Sequence, residues 1–278
     1  MNIGIIGLGL IGGSMAKSIR LNTDHCVFGM DIDKSVVTKA KIIEAINGEL
    51  TEENIGLCDM IITALYPDAT IEVVKRYARL IKKGAYIIDC CGVKEKVCGS
   101  IPQIARENGF VFVGGHPMAG IEKIGFKYSN ADIFANASMI LTPDSTVKIE
   151  DLENIRLFFL SIGFGKITVK TAEDHDRIIA YTSQLAHVLS NAYVKGKNAK
   201  DHRGLSAGSF RDMTRVAYLN ETMWTELFME NRENLIGEIS ELIGNLSDYK
   251  DALEKNDAAR LKELLKSGRE LKEALDNE

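Results

Sequence analysis

Short apolar runs alternate with segments of helical periodicity through the first 170 residues, and only helical periodicity follows. The apolar runs are rich in β-branched and aromatic residues, which predicts strands at 2–6, 26–30, 60–65, 86–88, 110–113, 138–141 and 166–169. Strands that alternate with helices indicate parallel pairing and short crossovers. We therefore predict an α/β domain with a doubly wound sheet over residues 1–170.

Residues 171–278 carry helical patterns alone. The stretch from Ala172 to about Lys197 contains no proline, and its first glycine is Gly196, so one long core helix is expected. Two further amphipathic helices follow, with apolar positions at 235–246 and 261–271. Stripes of this kind are typical of a core or of a partner interface. The second domain is predicted to be all helical.

A Gly-x-Gly-x-x-Gly motif follows the first strand at once and leads into a helix, which is the Rossmann arrangement. Its glycines allow a tight turn, close approach of a pyrophosphate and close packing of helix against sheet. Asp31 ends the second strand, where a carboxylate accepts from ribose hydroxyls and repels a 2′-phosphate. An exposed Asp31 without this role is one alternative, and a ribose contact shared with the nearby Asp33 is another. The motif and neighbouring strand ends predict an NAD site made of Gly7, Leu8, Gly9, Leu10, Ile11, Gly12, Asp31, Leu65 and Gly92.

His116 stands in a glycine-rich stretch, 114–120, directly after the fifth predicted strand. Ligands of open α/β sheets bind beyond the carboxyl ends of the strands. The two glycines before His116 allow close approach of backbone to a ligand, and Pro117 favours an extended conformation at His116. We expect a histidine that points into the ligand crevice; a surface histidine without a role is the alternative.

Polar residues recur on one face of the long helix, where Asp176, Ser183 and His187 are spaced by whole turns. Polar groups on a buried face need partners, which can be a ligand, backbone or water. Farther on, Arg211 and Arg215 lie one turn apart. They suit an anionic ligand because guanidinium grips carboxylate through two hydrogen bonds, although such charges are also typical of a solvated face.

Composition narrows the function classes. A net charge of −5 and the lack of a basic tract argue against nucleic-acid binding. All five cysteines lie in the first hundred residues without metal-ligand spacing, so reduced thiols and no metal are expected. No leader pattern and no bilayer-length apolar run is present. We expect a cytoplasmic protein that binds a small molecule, with no membrane partner.

Five motifs, in order, resemble the prephenate dehydrogenase family over essentially the whole chain. They are the glycine loop at 7–13, Asp-x-x-Gly-Val-Lys at 89–94, Gly-His-Pro-Met-Ala-Gly at 115–120, His175-Asp176 with Ser183 and His187, and Phe-Arg-Asp-x-Thr-Arg at 210–215 with Trp224. The resemblance implies a homodimer formed through the helical domain. It also implies NAD-dependent oxidative decarboxylation of prephenate to 4-hydroxyphenylpyruvate, a step of tyrosine biosynthesis.

The resemblance further implies roles for individual residues. His116 is the base for the C4 hydroxyl, and Arg215 anchors the ring carboxylate. The other implied substrate contacts are Ser183 and His187 from the long helix, Arg211 and Asp212 near the pyruvyl end with reach across the dimer, and Trp224 at the pocket wall. One departure stands out, because Gly92 occupies the place where many relatives carry a serine that touches both nicotinamide and hydroxyl.

Other functions share parts of this pattern. Arogenate dehydrogenase catalyses the same reaction on a substrate with an amino group, and Asp212 offers a carboxylate for that ammonium. A β-hydroxyacid dehydrogenase or imine reductase would place a catalytic Lys or Asp on the long helix. A sensor that binds NAD without turnover would need the glycine loop but not His116 and Arg215 together.

Overall fold

One eight-stranded sheet forms the first part of the computed structural model, which describes residues 1–277. The strands lie in the order β3-β2-β1-β4-β5-β6-β7-β8. Their bounds are β1 Asn2–Ile6, β2 Cys26–Met30, β3 Gly48–Glu49, β4 Met60–Thr63, β5 Tyr86–Asp89, β6 Val111–Pro117, β7 Ser138–Pro143 and β8 Lys166–Val169. Neighbouring strands pair in parallel except β6 and β7, which are antiparallel. The predicted doubly wound α/β fold is confirmed.

Helices cover both faces of this sheet and then continue alone. The helices among the strands are α1 Leu10–Asn22, α2 Lys34–Ile42, α3 Pro67–Tyr77, α4 Glu95–Asn108 and α5 Ile149–Ser161. Those after the sheet are α6 Ala172–Ile179, α7 Ala186–Tyr193, α8 Gly208–Thr214, α9 Glu221–Glu230, α10 Arg232–Glu254 and α11 Ala258–Asp276. The helical second part is therefore also confirmed.

Successive apolar residues of the central strands feed two separate cores. Ile5 of β1 belongs to the cluster on one face of the sheet, and Ile6 to the cluster on the other. Ile62 and Ile61 of β4 divide in the same way. Burial of each such side chain stabilises the fold by roughly 1.5–3 kcal/mol. Continuous apolar runs are what a sheet covered on both faces requires.

The long helix differs from its prediction in two respects. It ends at Tyr193 rather than near Lys197, and a π-helical segment, Ala180–Leu185, separates α6 from α7. Such a segment inserts an extra residue into the turn, so side chains on either side of it shift around the helix axis, and π segments recur at functional sites. Ser183 lies inside this segment.

Two strands also differ from their predictions. The pattern missed β3, whose two residues lie at the sheet edge and offer no apolar run. The fifth predicted strand ends at 113, whereas β6 continues to Pro117 because its second half pairs with β7. Within residues 1–277, no helix is both long and apolar enough to cross a membrane.

Candidate active site

A cleft of about 1040 Å³ lies between the carboxyl edge of the sheet and the helical part. From the sheet side it is lined by the glycine loop, the turns after β4 and β5, and the end of β6. Of the predicted site residues, it brings together Gly9, Leu10, Ile11, Leu65, Gly92, His116, Ser183, His187, Arg215 and Trp224. Segments far apart in the chain thus meet in one space, as parallel-strand topology requires.

The glycine loop is packed so tightly that side chains would not fit at two of the three glycines of the Gly-x-Gly-x-x-Gly motif. Gly7 has φ +91°, and a Cβ on Gly12 would lie 1.8 Å from the Gly7 carbonyl oxygen. A Cβ on Gly9 would meet nothing within 4 Å. Gly9 is also the N-cap of α1 and provides no side-chain cap. The first N–H groups of α1 are therefore open to an anion, and a pyrophosphate fits this cradle.

Asp31 is tied to the same loop. Its carboxylate accepts from the backbone N–H of Leu8 at 2.8 Å and from that of Asp33 at 2.9 Å. These bonds orient the carboxylate at the end of β2, beside the glycine turn. The ribose contact of Asp31 stays a prediction.

His116 lies within β6, opposite Ile140 of β7, and not in a loop beyond the strand as expected. The glycines before it also act differently from the prediction. A Cβ on Gly114 would lie 2.1 Å from Thr142 Oγ1, and one on Gly115 would lie 2.4 Å from the Asp89 carbonyl oxygen. These two glycines let β6 pack against neighbouring protein atoms rather than against a ligand. The strand ladder therefore holds His116 more rigidly than a loop would.

Two further side chains continue from His116 into the protein. Nδ1 of His116 lies 2.8 Å from Nε2 of His175, and Nδ1 of His175 lies 2.6 Å from Oδ1 of Asp176. His175 and Asp176 are buried, whereas His116 is only partly so. Burial, together with His175 and Lys94, lowers the pKa of His116 well below the usual 6.5. His116 is therefore neutral at pH 7 and can accept a proton.

A buried ion pair supports the floor of the site. The ammonium of Lys94 contacts the carboxylate of Asp89 and donates to the Gly115 carbonyl at 2.7 Å. Burial alone would lower the pKa of Lys94, but Asp89 raises it and the net direction is upward. Lys94 thus stays charged, and it fixes the backbone next to His116.

The helical part supplies the opposite wall. Nδ1 of His187 donates to the Ser183 carbonyl at 2.8 Å, and the His187 ring packs on Trp224 with centroids 4.0 Å apart. Arg215 forms an ion pair with Glu122, in which Nη1 lies 2.6 Å from Oε1. Glu122 lines the cleft and was missed from the sequence, because nothing in the stretch after Gly120 marks one carboxylate as special.

Arg211 and Asp212 lie outside the cleft of this chain. Nε of Arg211 lies 3.6 Å from Oδ1 of Asp212, and the two side chains are 82% and 72% exposed, respectively. They are not brought together with His116. Their predicted contact with substrate stays a prediction.

Gly92 and Leu65 line the cleft where the cofactor ring is expected. A Cβ on Gly92 would lie 3.4 Å from Leu227 Cδ1, which is ordinary contact, so a larger residue would fit there. The Leu65 carbonyl accepts a weak hydrogen bond from the Cys91 thiol. Gly92 is therefore not required by the packing.

One carboxylate cluster could in principle attract a metal ion. Oxygens of Asp68, Glu226 and Glu230 lie within 4.8 Å of one another. The Lys96 ammonium already lies 2.5 Å from both Asp68 and Glu230. It offsets one of the three negative charges, and the expectation of no metal remains a prediction.

Two family models together match most of the chain. The model described as "Prephenate dehydrogenase, nucleotide-binding domain" matches residues 15–168, and "Prephenate dehydrogenase, dimerization domain" matches residues 171–267. The first alone spans more than half of the chain.

Individual relatives agree with these matches. A cyclohexadienyl dehydrogenase of Zymomonas mobilis is 30% identical over 289 residues, which cover 99% of this chain and 96% of the relative. A prephenate dehydrogenase of Lactococcus lactis is 29% identical over 98% of this chain and 77% of its own length. A solved structure of the A. aeolicus prephenate dehydrogenase, in complex with hydroxyphenyl propionate and NAD+, superposes with a TM-score of 0.85 at 26% identity, covering 99% of this chain and 98% of that one.

Proposed function

Since the chain belongs to the prephenate dehydrogenase family, we propose that it converts prephenate and NAD to 4-hydroxyphenylpyruvate, CO2 and NADH, with His116 as the base. The family places the chain among NAD-linked oxidoreductases with prephenate or arogenate dehydrogenase activity in tyrosine biosynthesis. The observation that carries the finer proposal is the cleft, because it joins the glycine loop, a neutral histidine and an arginine.

The residues present fit NAD. The open N-terminus of α1 at Gly9 suits the pyrophosphate, and the Asp31 carboxylate suits the ribose hydroxyls and disfavours a 2′-phosphate. Leu65 and Gly92 line the space that remains for the nicotinamide. When bound, NAD supplies the acceptor for the hydride that leaves C4.

His116 handles the proton in this reaction. As the C4 hydride departs, the hydroxyl oxygen becomes a carbonyl and its proton moves to the imidazole. The ring carboxylate then leaves as CO2, its bonding electrons enter the ring, and the ring becomes aromatic as a phenolate. The phenolate takes the proton back, so His116 ends neutral. A positioned base of this kind contributes on the order of 10²–10⁴-fold to the rate.

An arginine in the cleft, together with relatives named as prephenate dehydrogenases, is the basis for proposing prephenate over arogenate. Arg215 suits a carboxylate of the substrate through paired hydrogen bonds. Only Nη1 of Arg215 is engaged by Glu122, so its other guanidinium N–H groups can meet that carboxylate. The ammonium group of arogenate would need a carboxylate of its own. Glu122 is paired with Arg215 and Asp212 lies outside the cleft, so Glu221, which lines the cleft wall, is the group that an arogenate site would use. Ser183 and His187 face the substrate space, and Trp224 closes it from the helical side.

The helical part also carries the proposed dimer, and we place the domain boundary at 170/171. Several large apolar side chains of α10 and α11 are more than half exposed: Ile236, Ile243, Leu246, Leu253, Leu265, Leu271 and Leu275. Exposed apolar side chains that recur along two neighbouring helices are typical of a protein interface. A homodimer formed through these helices would bury these apolar side chains. In that dimer, Arg211 and Asp212 would contact the substrate in the cleft of the partner subunit.

A His116→Asn variant tests the role of the base. Turnover of prephenate should fall on the order of 10²-fold or more, while NAD binding, measured by fluorescence titration, stays near wild type. His25→Asn is the matched control, because His25 precedes β2 at the opposite edge of the sheet. Unchanged turnover in His116→Asn would remove His116 from the chemistry.

A further inference from the structure

We infer that His175, held by Asp176, is a positioning residue that keeps the imidazole proton of His116 on Nδ1 and so leaves Nε2 of His116 free as the base. This inference rests on the proposed function, since it explains how His116 presents a lone pair to the substrate hydroxyl. It adds His175 and Asp176 to the reaction although neither of them lines the cleft.

The direction of the hydrogen bonds follows from the carboxylate end. Asp176 Oδ1 is 2.6 Å from Nδ1 of His175, and a carboxylate oxygen can only accept, so that Nδ1 carries the proton. In a neutral His175 the other nitrogen, Nε2, is then an acceptor. Nδ1 of His116, at 2.8 Å, must donate to it. The remaining nitrogen of neutral His116 has no proton.

A doubly protonated His175 would donate from Nε2 to Nδ1 of His116 and so reverse the hydrogen bond between the two rings. The surroundings of His175 oppose that protonated form. Burial lowers the pKa of His175, and the Lys94 ammonium acts in the same direction. Asp176 and Asp89 pull the pKa upward, but the net direction is downward. Lys94 is itself fully buried and bonded to the carbonyl of Gly115, so its charge stays beside the two rings.

Asp176 is held too firmly to turn away from His175. Its Oδ1 also accepts from the backbone N–H of Lys94 at 2.7 Å, and its Oδ2 accepts from that of Glu95 at 2.9 Å. These N–H groups belong to the first turn of α4, so the carboxylate of α6 caps a helix of the sheet domain. Its backbone carbonyl accepts from Asn231 at 2.8 Å. The helical part therefore sets the proton position of a histidine that β6 carries.

Two substitutions of His175 separate positioning from packing. His175→Leu removes the acceptor and leaves the Nδ1 proton of His116 without a partner, so the proton should move to Nε2, since His116 lines the cleft. His175→Gln can still accept through its amide oxygen. We expect kcat to fall on the order of 10²-fold or more in His175→Leu and to recover in part in His175→Gln, with KM and NAD affinity near wild type in both.

The proton position is read directly by ¹⁵N NMR of protein labelled at its five histidines. Signals of His116 are assigned by their loss in His116→Asn. We expect Nδ1–H in the wild type, Nε2–H in His175→Leu and Nδ1–H again in His175→Gln. Asn231→Ala serves as a control for disturbance of the same helix; it should lower Tm without changing the protonated nitrogen.

Three results would overturn the inference. The first is Nε2–H on His116 in the wild-type protein. The second is an Nδ1 proton and a kcat that both survive in His175→Leu. The third is a loss of kcat in both variants while the proton stays on Nδ1. The NMR result does not depend on turnover. A wild-type protein inactive on prephenate and arogenate would refute the proposed function and leave the proton arrangement as measured.

Discussion

Alanine at Gly12 and alanine at Gly9 should have different effects, because the two glycines face different surroundings. A Cβ at position 12 would lie 1.8 Å from the Gly7 carbonyl oxygen and 3.0 Å from the Ala64 Cβ. Carbon–oxygen contacts normally lie at roughly 3.3 Å or more, so the loop must open by about 1.5 Å. Overpacking of this kind costs about 1–3 kcal/mol or more. In a chain of this size each kcal/mol lowers Tm by about 2–4 °C.

Gly9→Ala is the matched variant, since a Cβ there meets no protein atom within 4 Å. Loss of a glycine N-cap should cost under about 1 kcal/mol. The added methyl instead occupies the space proposed for the pyrophosphate, so the Kd for NAD should rise about tenfold or more, which is about 1.4 kcal/mol. Thermal unfolding and NAD titration of both variants measure the contrast. Wild-type NAD affinity in Gly9→Ala, or a wild-type Tm in Gly12→Ala, would refute this account of the loop.

Three further predictions concern charge and protonation. Arg215→Ala should raise KM for prephenate about tenfold or more through loss of charge-assisted hydrogen bonds, and a selective loss of NAD affinity in its place would refute the anchor role. Asp31→Ala should relax the preference for NAD over NADP, measured as the ratio of their kcat/KM values; an unchanged ratio counts against the ribose contact. The wild-type kcat/KM should be constant down to pH 6.5 and should decline only at lower pH, because the pKa of His116 lies well below 6.5 and the imidazole stays unprotonated until then. A decline centred above pH 6.5 would contradict this.

The sequence predicted features that repeat or that act locally. The alternation of strands and helices and the motif beginning at Gly7 were readable because each depends on nearby residues. The continuation of β6 through His116 was not, since it depends on antiparallel pairing with β7, and no local pattern reports a partner strand. The packing role of Gly114 and Gly115 was not predictable either, because the atoms that exclude a side chain there belong to other segments.

The site shows the same division. His175 and Asp176 were visible as a motif and Asp176 as part of a polar stripe, yet their hydrogen bonds to His116 and to the start of α4 arise only from tertiary packing. Glu122 gave no signal, because its importance comes from its ion pair with Arg215 across the cleft. The sequence likewise did not show which of the two arginines lines the cleft, because both carry the same charge; Arg215 lines it and Arg211 does not.

The central claim is that this cleft oxidises and decarboxylates prephenate with NAD. The most direct measurement mixes purified protein with NAD, offers prephenate and arogenate in parallel, and follows the near-ultraviolet absorbance of NADH. We predict rapid NADH formation with prephenate, with 4-hydroxyphenylpyruvate as the product, and little with arogenate. A preference for arogenate would overturn the substrate assignment, and no NADH from either substrate by a protein that binds NAD would contradict the claim altogether.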